Sequence, residues 1–120
     1  MTLVVRRQDR LHPEIHRLAD HALVILVGEL DASSAGPLYE QFASLTREGV
    51  TQVALDLEGL KFIDSTGLSV IIAEHKRTTS LGGALVIMSP QEQVRKLFEM
   101  TGLIQLLDVL PREREARRAG

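Results

Sequence analysis

"VTQVALDLEGLKFIDSTGLSVII", residues 50–72, decides the fold. Its opening, "VTQVALDL" (50–57), reads as a strand buried in a sheet. From Ser65 onward the period changes: Leu68, Ile71, Ile72 and His75 fall on one face of a helix that Gly82–Gly83 end. A buried strand that turns directly into a helix is half of a strand–helix–strand unit. Upstream, "ALVILVG" (22–28) is another continuous apolar run, the mark of a strand covered on both sides. Between the two strands, "ELDASSAGPLYEQFASLTREG" offers the cap types Asp31, Ser33 and Ser34, then Leu38, Phe42 and Leu45 at helical spacing, and stops at Gly49. Pro37 is tolerable in the first turn of that helix.

The remaining segments extend the same unit in both directions. "ALVIM" (84–88) is a third buried strand, and Ser89–Pro90 opens a helix with Val94, Leu97 and Phe98 on one side. "GLIQLLDVL" (102–110) fits either a short last strand or a helical turn. "EIHRLA" (14–19) reads as a weak strand, and "DH" (20–21) as a tight turn that pairs it antiparallel with the next. The expected fold is one α/β domain with a mixed, mostly parallel sheet of four to five strands. Its crossovers are right-handed, and helices lie mainly on one face. Residues 1–12 form an N-terminal extension, 13–110 the domain, and 111–120, "PREREARRAG", a flexible charged tail.

Composition narrows the function. The chain has 120 residues, enough for one core, with a formal net charge of −2 and no cysteine. Disulfide frameworks and thiolate metal sites are thereby excluded. The four scattered histidines, His12, His16, His21 and His75, form no recognisable ligand motif, so neither a metal nor a cofactor is expected. "MTLVVRRQDR" holds no signal peptide or membrane span, so a cytoplasmic protein without membrane contact is expected. Nucleic-acid binding would call for a basic face, and the arginines of the tail are interleaved with glutamates.

The polar break "DSTG" (64–67) allows three readings. Asp64 or Ser65 is an N-cap, contributing about 1 kcal/mol. Or Ser65 or Asp64 is an enzymatic nucleophile. Or the serine is where another protein writes a charge. Against a bare cap stand three polar candidates in a row, and Gly67 in the first turn, where glycine costs about 1 kcal/mol against alanine. Its missing side chain would let another part of the chain approach closely. Against the nucleophile, Ile63 stands where Gly-x-Ser-x-Gly needs glycine, Leu68 stands where an Asp-x-Thr-Gly aspartyl-phosphate enzyme has threonine, and His12, His16, His21 and His75 form no triad pattern. No catalytic residue is therefore assigned. A phosphoserine at a helix start adds about −1.5 to −2 charges where free N–H groups tolerate them.

The stretch from about Glu14 to Asp108 resembles the bacterial anti-sigma factor antagonists, built on the STAS domain. "GELD" (28–31), "LDLEGLKFIDSTGLSVII" (55–72) and "SP…VRKLFEMTGL" (89–103) are similar to the family's segments, in order. The resemblance implies a partner switch in which the dephosphorylated protein binds an anti-sigma factor that is itself a serine kinase, which frees a sigma factor. By the same match Ser65 is the phosphoacceptor, a serine phosphatase removes the phosphate, and Asp64, Thr66, Gly67, Glu29 and Asp31 lie in the partner contact. ATP would belong to the kinase. Two other uses stay open on the residues alone: a STAS scaffold subunit of a transporter or signalling complex with no phosphate cycle, and a small hydrolase or phosphotransferase.

Overall fold

The computed structural model describes residues 10–110. Five strands stand in the order β1-β2-β3-β4-β5: β1 (His12–Leu18), β2 (His21–Leu30), β3 (Gln52–Ile63), β4 (Ala84–Met88) and β5 (Asp108–Leu110). β1 pairs antiparallel with β2, and the other pairings are parallel. Helices α1 (Ala32–Arg47), α2 (Ser65–Ser80), α3 (Glu92–Met100) and α4 (Leu103–Leu106) fill the crossovers. Each parallel strand adds on the same side of its predecessor. With right-handed crossovers, that order places all these helices on one face.

The core forms where that face meets the helices. Val24 and Leu26 of β2, Leu55 and Leu57 of β3, Leu85 and Ile87 of β4 are buried at alternate positions. They pack with Leu38 and Phe42 of α1, Ile71 of α2, and Val94 and Phe98 of α3. Each such side chain contributes about 1.5–3 kcal/mol of transfer free energy.

Several expectations are refined. "GLIQLLDVL" is both alternatives at once, the short helix α4 and then β5. Leu11 is in the core and His12 pairs with Val27, so the last residues assigned to the extension belong to the domain. Residues 1–9 and the tail 111–120 lie outside the described residues. Pro37 stands in the second turn of α1, because the capping box of Asp31 and Ser34 starts the helix at Ala32. The buried stripe of α2 runs through Leu68, Ile71, Glu74 and Thr78. His75 is rotated to the flank of that stripe, half-buried, with its Nδ1 lacking a hydrogen-bond partner among the described residues.

β3 is longer than the apolar run suggests. β4 pairs with it only from Gln52 to Asp56, yet β3 continues beside β2 to Ile63. The edge left uncovered is closed by α3 and the residue before it: Gln91 Nε2 donates to the Glu58 carbonyl at 2.7 Å and Gln93 Nε2 to the Lys61 carbonyl at 3.2 Å. Side chains on that edge remove a template for strand addition. Gly28, at φ +110°, marks an irregularity after which β2 steps one residue against β3. The step re-aims the last residues of β2 toward the start of α1.

Candidate functional site

The β2–α1 and β3–α2 junctions meet at the carboxyl ends of neighbouring strands, with Leu30 paired to Ile63. Two helix N-termini therefore lie side by side, and each brings unpaired amides and partial positive charge. At α1, Asp31 is the N-cap. Its Oδ1 accepts from the Ser33 amide at 3.0 Å, and its own amide donates to Ser34 Oγ at 3.0 Å. Asp31 is 6% exposed.

At α2 the N-cap is Asp64, and its carboxylate serves both helices. Oδ1 accepts from the Gly67 amide at 2.9 Å, while Oδ2 accepts from the Ala32 amide of α1 at 3.2 Å. Its backbone amide donates to the Leu30 carbonyl at 3.1 Å. Asp64 therefore ties the two junctions together by side chain and main chain. This answers the question that "DSTG" raises: one residue caps, and it is the aspartate. Ser65 is left in the first helical turn, exposed, with its hydroxyl bonded to none of the described residues. Its carbonyl accepts from Ser69 Oγ at 3.0 Å. No acceptor among the described residues meets the amides of Ser65 and Thr66.

Gly67 has a steric reason. A Cβ there would lie 2.6 Å from Leu30 Cγ and 3.0 Å from the Leu30 carbonyl oxygen. The β2 end packs against the first turn of α2, and only glycine leaves room for it. Of the residues that the resemblance places in a partner contact, Gly67 and Asp31 are buried and shape the surface from beneath. Thr66 is exposed, and Glu29 and Asp64 are half-buried.

Two features of this surface do not follow from the motif. Apolar shelves flank Ser65. One lies between α1 and α2, where Tyr39 is 41% exposed near Thr66 and Ser69. The other lies between the end of β3 and α3, where Phe62 is 47% and Met100 82% exposed. Phe62 is legible in the sequence as an apolar residue out of alternation; Tyr39 carries no signal there. The second feature is Glu74 on α2, whose side chain is 2% exposed. Burial pushes its carboxyl up to about 7, against the opposing pull of Arg77. Arg77 Nη1 lies 3.2 Å from Glu74 Oε1, and its guanidinium sits 5.1 Å from the centre of the Tyr39 ring. The trio clamps α2 to α1 below the Ser65 edge.

Comparison with known proteins places this geometry. The STAS domain family model matches residues 12–116. The chain belongs to the STAS family of anti-sigma factor antagonists. An anti-sigma-B factor antagonist of Bacillus subtilis is 33% identical over 86 residues, 72% of this chain and 78% of that protein. Among solved structures, an anti-sigma factor antagonist from Mycobacterium paratuberculosis overlays with a TM-score of 0.78 at 19% identity, covering 96% of this chain and 97% of that one. The phosphorylated form of SpoIIAA, a Bacillus cell fate determinant, overlays with a TM-score of 0.69 at 20% identity, covering 91% of this chain and 100% of that one. At such identities the two structures speak for the fold. No described helix is long and apolar enough to cross a membrane.

Proposed function

We propose that this chain is a phosphorylation-switched binding module and not an enzyme. Unphosphorylated, it docks an anti-sigma factor serine kinase over the Ser65 edge and so releases a sigma factor. Phosphate on Ser65 ends the docking, and a serine phosphatase restores it. The observation that carries this reading is the division of labour at the α2 start: Asp64 holds the cap, and Ser65 stands exposed beside it with its hydroxyl unengaged among the described residues. A cap serine would have to break a structural bond to be modified; this one does not.

The same geometry supports survival of the fold. A phosphate on Ser65 would lie near the unpaired amides of the first turn, where a helix start favours an anion. The phosphorylated form of SpoIIAA shares this fold, which supports the same tolerance here. Repulsion supplies the switch. A dianion set against one partner carboxylate about 7 Å away, at an effective dielectric near 40, costs roughly 2 kcal/mol. That is about 30-fold in affinity, before desolvation of the phosphate is added. Asp64 makes the edge acidic already, so the added charge acts in the same sense. The shelves at Phe62 and Tyr39 would supply the apolar area that a docked protein needs.

The test is to mix the chain with the serine-kinase anti-sigma factors of its own cell, with ADP and then with ATP. One of them is expected to bind in ADP and to place a single phosphate on Ser65 in ATP, with Ser65→Ala binding persistently. Equal affinity of the wild type, Ser65→Ala and Ser65→Asp for every such kinase would remove the proposal.

A further inference from the structure

We infer that residues 1–9 supply the cationic half of the phosphoserine site, with Arg6 and Arg7 binding in cis the phosphate that Ser65 carries. The inference rests on Ser65 being the phosphoacceptor. The root of the segment is fixed by strand register. β1 runs antiparallel to β2, so the start of β1 lies at the carboxyl end of β2, where the Ser65 edge is. His12 pairs with Val27, and Arg10 makes a further bridge with Glu29. Leu11 between them is buried in the core. Glu29 pairs in turn with Phe62 of β3. Residues 1–9, "MTLVVRRQD", therefore join the domain at the Ser65 edge and not at the far end of the sheet.

Reach and charge both select this segment. Arg10 stands two strands from Phe62, about 10 Å away. Ser65 follows Phe62 at a chain distance of at most about 10 Å, which makes the direct path from Arg10 roughly 14 Å. Arg7 and Arg6 precede Arg10 by chain lengths of up to about 10 and 14 Å, before the length of either side chain is added. Both arginines therefore reach the phosphate with the root in place. The edge carries the carboxylates of Glu29, Asp31 and Asp64, and a phosphate adds about −1.5 to −2 charges to it. Guanidinium is the side-chain group whose forked N–H donors best match a phosphate. Asp9 is the one acid of the segment, and Arg10 at its root is exposed. The arginines of the tail are placed worse. Leu110 pairs with Met88, which is level with Asp56, so the tail leaves the sheet well short of the end of β3. Glutamates also interleave its arginines. Held by the phosphate, residues 1–9 lie across the docking edge, and occlusion adds to the repulsion that keeps a partner off.

The experiment uses the full chain with phosphoserine genetically encoded at position 65, so it needs no kinase. A chain that no kinase modifies would end the switch reading and leave this result standing; a negative result here would leave that reading intact. The phosphorus NMR signal is followed through the second ionisation of the phosphate, ordinarily near 6. That ionisation should fall about one pH unit lower in the chain with both arginines than in Arg6→Gln/Arg7→Gln, with unchanged far-UV circular dichroism, because a nearby cation favours the dianion. About 1 M salt should remove most of the difference. Trypsin should cut after Arg6 and Arg7 at least 5-fold more slowly in the phosphorylated chain than in the unmodified one. Coincident titrations of the two phosphorylated chains overturn the inference and leave the phosphate to the amides of α2 alone. Equal tryptic rates with and without phosphate overturn it too, as does a titration that moves with protein concentration, which would put the arginines on a second molecule.

Discussion

Replacing Asp64 should destabilise two helices at once. Asp64→Ala leaves the Gly67 amide of α2 and the Ala32 amide of α1 without their acceptors. Loss of the α2 cap costs about 1 kcal/mol. The Ala32 amide is at an exposed residue that water can reach, so its loss adds about 0.5–1 kcal/mol. A total near 2 kcal/mol should lower Tm by roughly 6–10 °C in a domain of this size. Asp64→Ser separates the two contributions, because serine can cap α2 but is too short to span to α1; about half the loss is expected. A double-mutant cycle isolates the bridge. Proline is accepted at the first helical position, so Ala32→Pro deletes only the α1 donor. Asp31 before it is extended, at φ −137° and ψ −170°, as a residue preceding proline requires. In urea unfolding, Ala32→Pro should cost about 0.5–1 kcal/mol more in the wild-type background than in the Asp64→Ser background. Zero coupling in that cycle, or an Asp64→Ala variant within about 0.5 kcal/mol of wild type, would refute the bridging role.

Other outcomes follow from the same geometry. Gly67→Ala should destabilise by about 1–2 kcal/mol, since overpacking against Leu30 outweighs the helix-propensity gain; a rise in urea midpoint would show that Leu30 yields. Glu74 holds its proton more tightly folded, at about 7, than its ordinary 4.5. A raised acid stabilises below the unfolded pKa, and that contribution is lost as pH rises from about 4.5 to 7. Its ionisation should cost up to about 3 kcal/mol above that window, and Glu74→Gln should flatten the slope of stability against pH there; an unchanged slope contradicts the burial argument.

The sequence is most informative where period and apolar content agree. The runs 22–28 and 84–88 are strands in the structure, and 31–49 and 65–83 contain α1 and α2. The end of β3 is harder to see, because "EGLKFI" (58–63) borrows its pairing from β2 alone and its edge bonds from Gln91 and Gln93. Gly59 fits the same pattern: a Cβ there would meet Val27 Cγ2 at 2.9 Å, a contact between distant segments. The flank position of His75 escapes the sequence because the inward place goes to Glu74, a residue that apolar periodicity does not count. At the site, the sequence shows a cap, a hydroxyl and a glycine, but cannot say which polar residue caps. That choice depends on Asp64 reaching an amide of α1, 32 positions away in the chain.

The central claim is best tested by preparing the chain with phosphoserine genetically encoded at position 65 and titrating it, beside the unmodified protein, against the cognate anti-sigma kinase held in ADP. Circular dichroism and Tm should coincide within a few degrees while the dissociation constant rises at least 30-fold. Equal binding of the two forms, or an unfolded phosphoprotein, would contradict it.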